Sequence, residues 1–374
     1  MAIEFIGIAH TRPGSESESV DPNVPTVVPE YLYALAQAHE DSGFDRVLVA
    51  HSSASPDGFT VADQILTHTE KIGVLLAHRP GFVAPTYAAR KYATLDAFHP
   101  GRIALHTITG GDDREQARDG DVTDKETRYR RTDEFLSIVR SEWESQTPFD
   151  FDGEFYTVKG GWSGVRPPDG RIPVYFGGAS ADAIRVGGKH ADVYAFWGEP
   201  LAGIAERIRD VRAAALPYDR DPRFSVSLRP IPAATEAEAW ERAAEILQLT
   251  KEKVGQAQSQ KAWGWGGNKR DHSEARGSQR LLEYAAKGDV HDKRLWTAVA
   301  KETGAAGNST ALVGRYEQVA ESLLDYVALG VSTLLIRGFA PLEDARDYGN
   351  LVRLVREQAD KSVPAAAEPT PVAA

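Results

Sequence analysis

The 374-residue chain contains no cysteine. That absence removes disulfides, thiolate metal sites and cysteine nucleophiles together, and it fits a reducing compartment. No apolar run reaches the roughly 18 residues that a membrane-spanning helix needs. The first residues, MAIEFIGIAH, carry no basic segment ahead of an apolar one, so they do not read as a secretory signal. The expected location is the cytoplasm, with no membrane partner. Positive charge is in deficit. Lys and Arg number 43 against 54 Asp and Glu, a net charge of -11, which argues against nucleic acid as a partner. Neither a GxSxG nucleophile elbow nor a Walker phosphate loop occurs, so the hydrolase and nucleotidase readings lack their usual marks.

What is present is ordinary for a globular protein, with 42% hydrophobic and 26% charged residues. Eight short apolar runs alternate with helical stretches. The runs are Ile3–His10, Asp45–His51, Ile72–His78, Arg102–Thr109, Ile172–Phe176, Asp192–Trp197, Phe224–Ile231 and Thr333–Arg337. Each is nearly continuous in apolar residues, as a strand buried on both faces must be. Two stretches break the rhythm. Phe149–Gly160 sets Asp152-Gly153 between alternating aromatics, the mark of a hairpin insertion. Residues 254–307 are polar and rich in Gly, Lys, Arg and Asp. The tail, 363–374, lacks a core-forming pattern and reads as disordered. The expected fold is α/β: one domain over 1–362, a (β/α)8 TIM barrel with insertions after strands four and seven, at about 148–170 and 254–307. A doubly wound open sheet is the rival. Eight units plus two insertions fit the length and favour the barrel.

In the fifth unit, IPVYFGGASADAIRVGGKH (Ile172–His190), an apolar strand ends in Gly177 and Gly178 and feeds a helix. Ser180 stands at the N-cap position, with Asp182 in the first turn. A helix N-terminus presents unpaired N–H groups, and the glycines remove the Cβ atoms that would block a phosphate.

A barrel does its chemistry at the C-terminal ends of its strands. Here those ends supply His10, His51, His78, His106, Gly177 to Ser180, Trp197, Arg229 and Phe339. No carboxylate stands at short ligand spacing beside the histidines, so no metal site is expected. They read instead as neutral hydrogen-bond partners of a ligand or of buried backbone. No lysine ends a strand, which disfavours a Schiff-base aldolase.

Several separated stretches, HRPGFVAPTYAARKYATLDAFHPGR (His78–Arg102), ITGGD (Ile108–Asp112), RYRRTDEF (Arg128–Phe135), YFGGAS (Tyr175–Ser180), WGEP (Trp197–Pro200) and TALVG (Thr310–Gly314), resemble in order the bacterial luciferase-like flavin monooxygenases. Within that superfamily they are most similar to the alkanesulfonate monooxygenases. The resemblance implies an enzyme that takes reduced FMN from a separate NAD(P)H-dependent flavin reductase. It would react the flavin with O2 to a C4a-peroxyflavin and oxygenate a small substrate. By the same resemblance Ala50, His51 and His106 lie against the isoalloxazine, with His106 where the family usually has Asn. Glu115 follows at the family's spacing. Tyr129 and Arg130 stand near the phosphate, which the Gly178-Ala179 backbone and Ser180 hold. Residues 254–307 would form a lid, and Trp197 and Phe339 would line the cavity. The family also suggests a homodimer or tetramer.

The departures bear on substrate. Alkanesulfonate enzymes place an Arg and a His two residues apart on strand seven, where this chain has Ser227 and Arg229. Ser55 occupies the region of a family Cys, Phe339 that of a Tyr, and Thr303 that of a lid Arg. One strand Arg therefore remains to hold an anionic head or stabilise a peroxyflavin anion. Arg229 and His10 are the candidate catalytic residues; Ser55, Trp197, Ser227, Arg229 and Phe339 are the candidate substrate contacts. The rivals are a deazaflavin (F420)-dependent oxidoreductase on the same barrel and a non-catalytic flavin-binding homologue.

Overall fold

A computed structural model of the protein describes residues 3–168, 170–259, 275–305, 307 and 309–362, without the side chains of 258, 259 and 362. The tail expected to be disordered lies outside the described residues, as does most of the WGWGGNKRDHSEARG stretch of the expected lid. The strands are β1 (Glu4–Ile8), β2 (Arg46–Val49), β3 (Gly73–His78), β4 (Ile103–Thr107), β5 (Phe149–Asp152), β6 (Thr157–Gly161), β7 (Val174–Gly177), β8 (Val193–Trp197), β9 (Arg223–Ala233), β10 (Val290–His291), β11 (Leu295–Trp296), β12 (Ala311–Arg315) and β13 (Val331–Ile336). Eight of them, in the order β1-β2-β3-β4-β7-β8-β9-β13, pair in parallel, and β13 closes on β1. This is the closed (β/α)8 barrel, not the open sheet.

Strand side chains alternate between two faces, and the alternation builds two cores. Inward, Ile6, Leu75, Ala104, Tyr175 and Val193 meet Leu48 and Leu335. Outward, Phe5, Val47, Val74, Leu105, Phe176, Val226 and Leu334 belong to the larger cluster shared with the helices. At the base of the barrel the Glu4 carboxylate takes the Tyr175 hydroxyl (2.5 Å), the Thr333 hydroxyl (2.9 Å) and Arg46 Nε (3.0 Å).

The hairpin β5–β6 occupies the first expected insertion. It hangs on Glu134 of the Lys125–Glu144 helix, whose carboxylate accepts the N–H groups of Glu154, Phe155 and Tyr156 at 2.6, 2.9 and 3.2 Å. The second insertion is more regular than its polar sequence suggests. The helix after β9 runs from Glu236 to Ser259, into the insertion expected from residue 254, and further helices span Arg276–Ala285 and Ala298–Thr303. The 11-residue β9 explains this. Its first half closes the barrel, and its second half, Arg229–Ala233, leaves it to pair with β12, which continues into β11 and β10. A second apolar cluster, with Ile231, Ala243, Trp296, Val313 and Phe339, fills the space beneath that extension.

Candidate active site

At the C-terminal mouth the inner face of the barrel changes character. Above the layer of Leu48, Leu75, Tyr175 and Val193, the inward positions are small: Ala77 on β3, Gly177 on β7, Ala195 on β8 and Ser227 on β9. The inward positions one step below, Ala104, Tyr175, Val193, Ser225 and Thr333, are buried, yet His106, Gly177, Ala195, Ser227 and Leu335 are each partly exposed. An exposed residue on the inside of a closed barrel marks open space above it. The small residues thus leave a recess, with His106, Gly177, Ala195, Ser227 and Leu335 on its floor.

One corner of the recess is the glycine turn after β7. The Ala181–His190 helix is capped by Ser180, whose Oγ accepts from the Ala183 N–H at 3.3 Å. Gly178 adopts φ +148°, and a Cβ there would stand 2.4 Å from Ala183 Cβ and 3.2 Å from the Tyr129 hydroxyl oxygen. The Gly178 carbonyl is pinned by the Tyr194 hydroxyl at 3.1 Å and by the Arg207 guanidinium. Across a trans peptide the next N–H points the opposite way, so Ala179 N–H faces away from those donors. Burial raises the Tyr129 pKa, with the nearby Ser180 side chain offsetting part, so the hydroxyl stays protonated. The helix sits this close because Gly188 lacks a Cβ that would come within 2.8 Å of the Ala214 backbone.

The histidines at the strand ends divide by direction. His106 faces inward; burial lowers its pKa to about 4, with the Tyr175 backbone offsetting part, and its Nδ1 has no partner among the described residues. His51, beyond β2, is lowered by burial and then by the Arg79 charge, and its Nε2 is likewise unpartnered among the described residues. Both are neutral at pH 7. His78 points outward, stacked on Phe135 at 5.2 Å and edge-on to Tyr92. Glu115 ties the loops after β2, β3 and β4 together, accepting from the Ser53 N–H at 2.6 Å and Arg79 at 2.7 Å. Ala50 is exposed just past β2. Ser55, also exposed, bonds Ser52 within its own loop. Arg130 turns to Glu154 and Glu126, both at 3.1 Å, so its guanidinium is engaged at the hairpin rather than at the glycine turn.

Across the mouth, the neighbouring strands β9, β13 and β1 lead to Arg229, Arg337 and His10. Glu16, on the loop between β1 and the first helix, meets them. Its Oε2 is shared by the guanidiniums of Arg229 and Arg337, and its Oε1 lies 3.1 Å from His10 Nε2. Arg229 also donates to the Gly338 carbonyl at 2.9 Å and stacks 4.4 Å over the Phe339 ring. Lys253 donates to the Glu16 carbonyl at 2.8 Å. Burial opposes charge on Glu16, but Arg229 and Arg337 outweigh it and hold the carboxyl well below its usual range. Phe339 is buried in the second apolar cluster. Trp197, partly exposed, packs with Leu281, Ala300 and Ala305 and lies against Gly277.

Sequence reasoning missed Glu16, Arg337, Arg79 and Arg207. Arg337 closes the apolar run TLLIR, so the strand-end rule reaches it. Arg79 directly follows a strand. Glu16 lies in a Pro-, Ser- and Gly-rich loop and Arg207 in an ordinary amphipathic helix, where no pattern marks them. Among the described residues no group of three or more His, Asp or Glu could hold a metal ion, and no helix is long and apolar enough to cross a membrane.

Comparison with known proteins follows the same outline. A riboflavin lyase, solved with modified FMN and riboflavin, superposes with a TM-score of 0.79 at 20% identity, over 96% of this chain and 92% of that one. An EDTA monooxygenase from a Chelativorans species gives 0.76 at 16% identity, over 96% and 94%. An F420-dependent secondary alcohol dehydrogenase, in complex with an F420-acetone adduct, gives 0.67 at 15% identity, over 95% and 99%. At these identities the likenesses establish the fold alone. The family model of the luciferase-like monooxygenases, however, matches residues 4–333. That match runs from β1 into β13, and by it the chain belongs to the luciferase-like monooxygenase family.

Proposed function

We propose that the chain is the oxygenating half of a two-component system. It takes reduced FMN from an NAD(P)H-dependent flavin reductase and uses O2 to oxygenate a small organosulfur substrate, an alkanesulfonate with C–S cleavage being the first candidate. The observation that carries this reading is the pairing of a phosphate-type helix N-terminus with an open barrel recess floored by a neutral imidazole. Both features fit a flavin mononucleotide. The cradle at Gly178 is one that a Cβ would fill. His106 Nδ1 and His51 Nε2 are buried polar atoms without partners among the described residues, which a ring's heteroatoms would satisfy.

In this reading Gly178, Ala179, Ser180 and Tyr129 hold the phosphate, with Arg130 further along the same helix. Ala50, His51, His106 and Glu115 face the isoalloxazine. Bound reduced FMN supplies the two electrons that monooxygenation requires. The chain's own task is to orient and to exclude water. Two uncharged imidazoles offer hydrogen bonds without adding a readily lost proton beside the ring. Trp197, backed by the Arg276–Ala285 helix, walls off solvent. Arg229 is the donor to substrate oxygens, with Ser227 below it, Ser55 at the rim and Phe339 behind the guanidinium, and His10 is placed to hold a proton. A cytoplasmic homodimer or tetramer completes the proposal.

The test is anaerobic titration with reduced FMN and, separately, reduced F420, followed by turnover with a flavin reductase, NAD(P)H and labelled O2 over a sulfonate panel. The expected result is tight reduced-FMN binding and sulfite release with label in the organic product. No substrate-dependent incorporation across the panel overturns it. The likeness to the F420-dependent alcohol dehydrogenase supports a second reading, hydride transfer. Binding of reduced F420 alone, with indifference to O2, would put that reading in its place.

A further inference from the structure

The cationic side of the mouth gathers three basic side chains about one carboxylate among the described residues. Among the described residues, Glu16 is shared by Arg229 and Arg337, while Lys253 reaches only the Glu16 backbone carbonyl. The carboxylate does not saturate its donors. Both guanidiniums converge on Oε2. Oε1 and His10 Nε2 face each other at 3.1 Å without the alignment of a hydrogen bond, and Arg337 Nε has no partner among the described residues. Arg337 is pushed down to about 10 by burial and by the Arg229 charge, with Glu16 offsetting only part.

The three basic side chains have fixed bases: Arg229 on β9, Arg337 directly after β13 with its N–H held by the Leu228 carbonyl at 3.2 Å, and Lys253 on a long helix. Glu16 does not; it rides on the loop after β1. That loop is held by backbone, Glu16 N–H and the Ser15 hydroxyl donating to the Phe339 carbonyl at 2.7 and 3.1 Å. The Glu16 side chain can therefore swing away while the loop stays in place. We infer that Arg229 and Arg337, with Lys253 behind them, form a seat for the oxyanion group of the substrate, and that Glu16 fills this seat as an internal stand-in until a substrate displaces it. A sulfonate or carboxylate matches the seat, because its several oxygens serve both guanidinium forks and His10 at once. The inference names the substrate class for the proposed enzyme and rests on that reading for the reaction. Anion binding itself is independent of flavin.

The experiment uses flavin-free full-length protein. Thermal unfolding of the wild type and of Glu16→Gln is followed while methanesulfonate or acetate replaces chloride at constant ionic strength. A ligand that binds only the folded state raises Tm. The expected result is a half-saturating concentration about tenfold lower for Glu16→Gln than for the wild type, a gain of about 1.4 kcal/mol in binding, abolished in the Glu16→Gln, Arg337→Gln double variant. The preferred anion distinguishes sulfonate from carboxylate. Glu16→Asp, too short to reach both guanidiniums, is expected to move in the same direction. Equal responses of wild type and variants, or no response, overturn the inference, as does failure of both single variants to fold, which would make Glu16 a structural counter-ion. Reduced-FMN binding by the wild-type protein, retained alongside any of these outcomes, separates failure of the inference from failure of the flavin reading.

Discussion

Gly178 carries the glycine turn at φ +148°, where a side chain is strained, and it has no room for one: a Cβ would lie 2.4 Å from Ala183 Cβ. Gly178→Ala must shift the turn, and with it the Ala179 N–H and the Ser180 cap. Backbone strain and overpacking of this kind cost about 1–3 kcal/mol. FMN affinity is expected to fall at least about tenfold, the equivalent of 1.4 kcal/mol, while affinity for riboflavin, which lacks the phosphate, stays within about twofold. Fluorescence titration with both flavins reads the difference; equal losses for the two would dissociate the turn from the phosphate. This turn was legible in the sequence because strand, glycines and cap lie within a few adjacent residues. Glu16 was not, because its partners Arg229 and Arg337 lie more than 200 residues away and its own loop has no period. The His78 direction was also missed: a strand end does not say which face the last side chain takes.

Among the elements, all eight barrel strands were readable as apolar runs, since burial on both faces leaves no other composition. β12 and the Tyr316–Ala328 helix were passed over because ALVGR is short and its partner is the overhang of β9, a pairing invisible locally. The helix Arg276–Ala285 was likewise taken as part of a polar excursion. Its charged anchor to the barrel is the buried Glu199, in addition to Ser278, whose hydroxyl donates to the Ala305 carbonyl at 2.9 Å. Glu199 accepts Arg280 Nε at 2.9 Å and Nη2 at 2.7 Å, and lies 3.4 Å from Arg207 Nη1. The carboxylate thus joins the helix to Arg207, which pins Gly178. Removing the charge leaves the buried Arg207 without its counter-ion and Arg280 with Glu206 alone at 3.2 Å, a change that costs up to about 3–5 kcal/mol. Glu199→Gln is expected to raise tryptic cleavage at Arg276 and Arg280 and hydrogen exchange over 276–285, with a smaller rise at the glycine turn. Unchanged protection of that helix would show that Trp197 and Leu281 packing and the Ser278 bond alone hold it.

Across the whole molecule, burial of neutral histidines sets a pH limit on the fold. His39 lies beneath β1 with its Nδ1 2.9 Å from the Leu35 carbonyl, and burial lowers it from 6.5 to about 4, the Leu35 bond offsetting part and the His10 charge adding. His78 sits between β3 and Phe135; burial lowers it from 6.5 to about 3, and His51 and Lys91 add to the effect. In the unfolded chain both titrate normally. His106, at about 4, behaves alike, so between the folded and unfolded pKa values the unfolded state binds three more protons, and stability is complete above about pH 6.5 and declines as pH falls. At up to about 1.4 kcal/mol per pH unit for each of the three histidines, roughly 5 kcal/mol is lost between pH 6.5 and 5. Paired carboxylates add nothing in that interval. Asp133 resists its own burial through His190 and Lys189 and is held at about 2, so its contribution disappears only below about pH 4. Urea unfolding at pH 7, 6 and 5 is expected to show this decline, and His78→Phe, which keeps the stack on Phe135, is expected to remove about a third of it. A flat profile down to pH 5, or a slope that His78→Phe leaves unchanged, would mean that water reaches these rings and that the layer between barrel and helices is looser than its packing indicates.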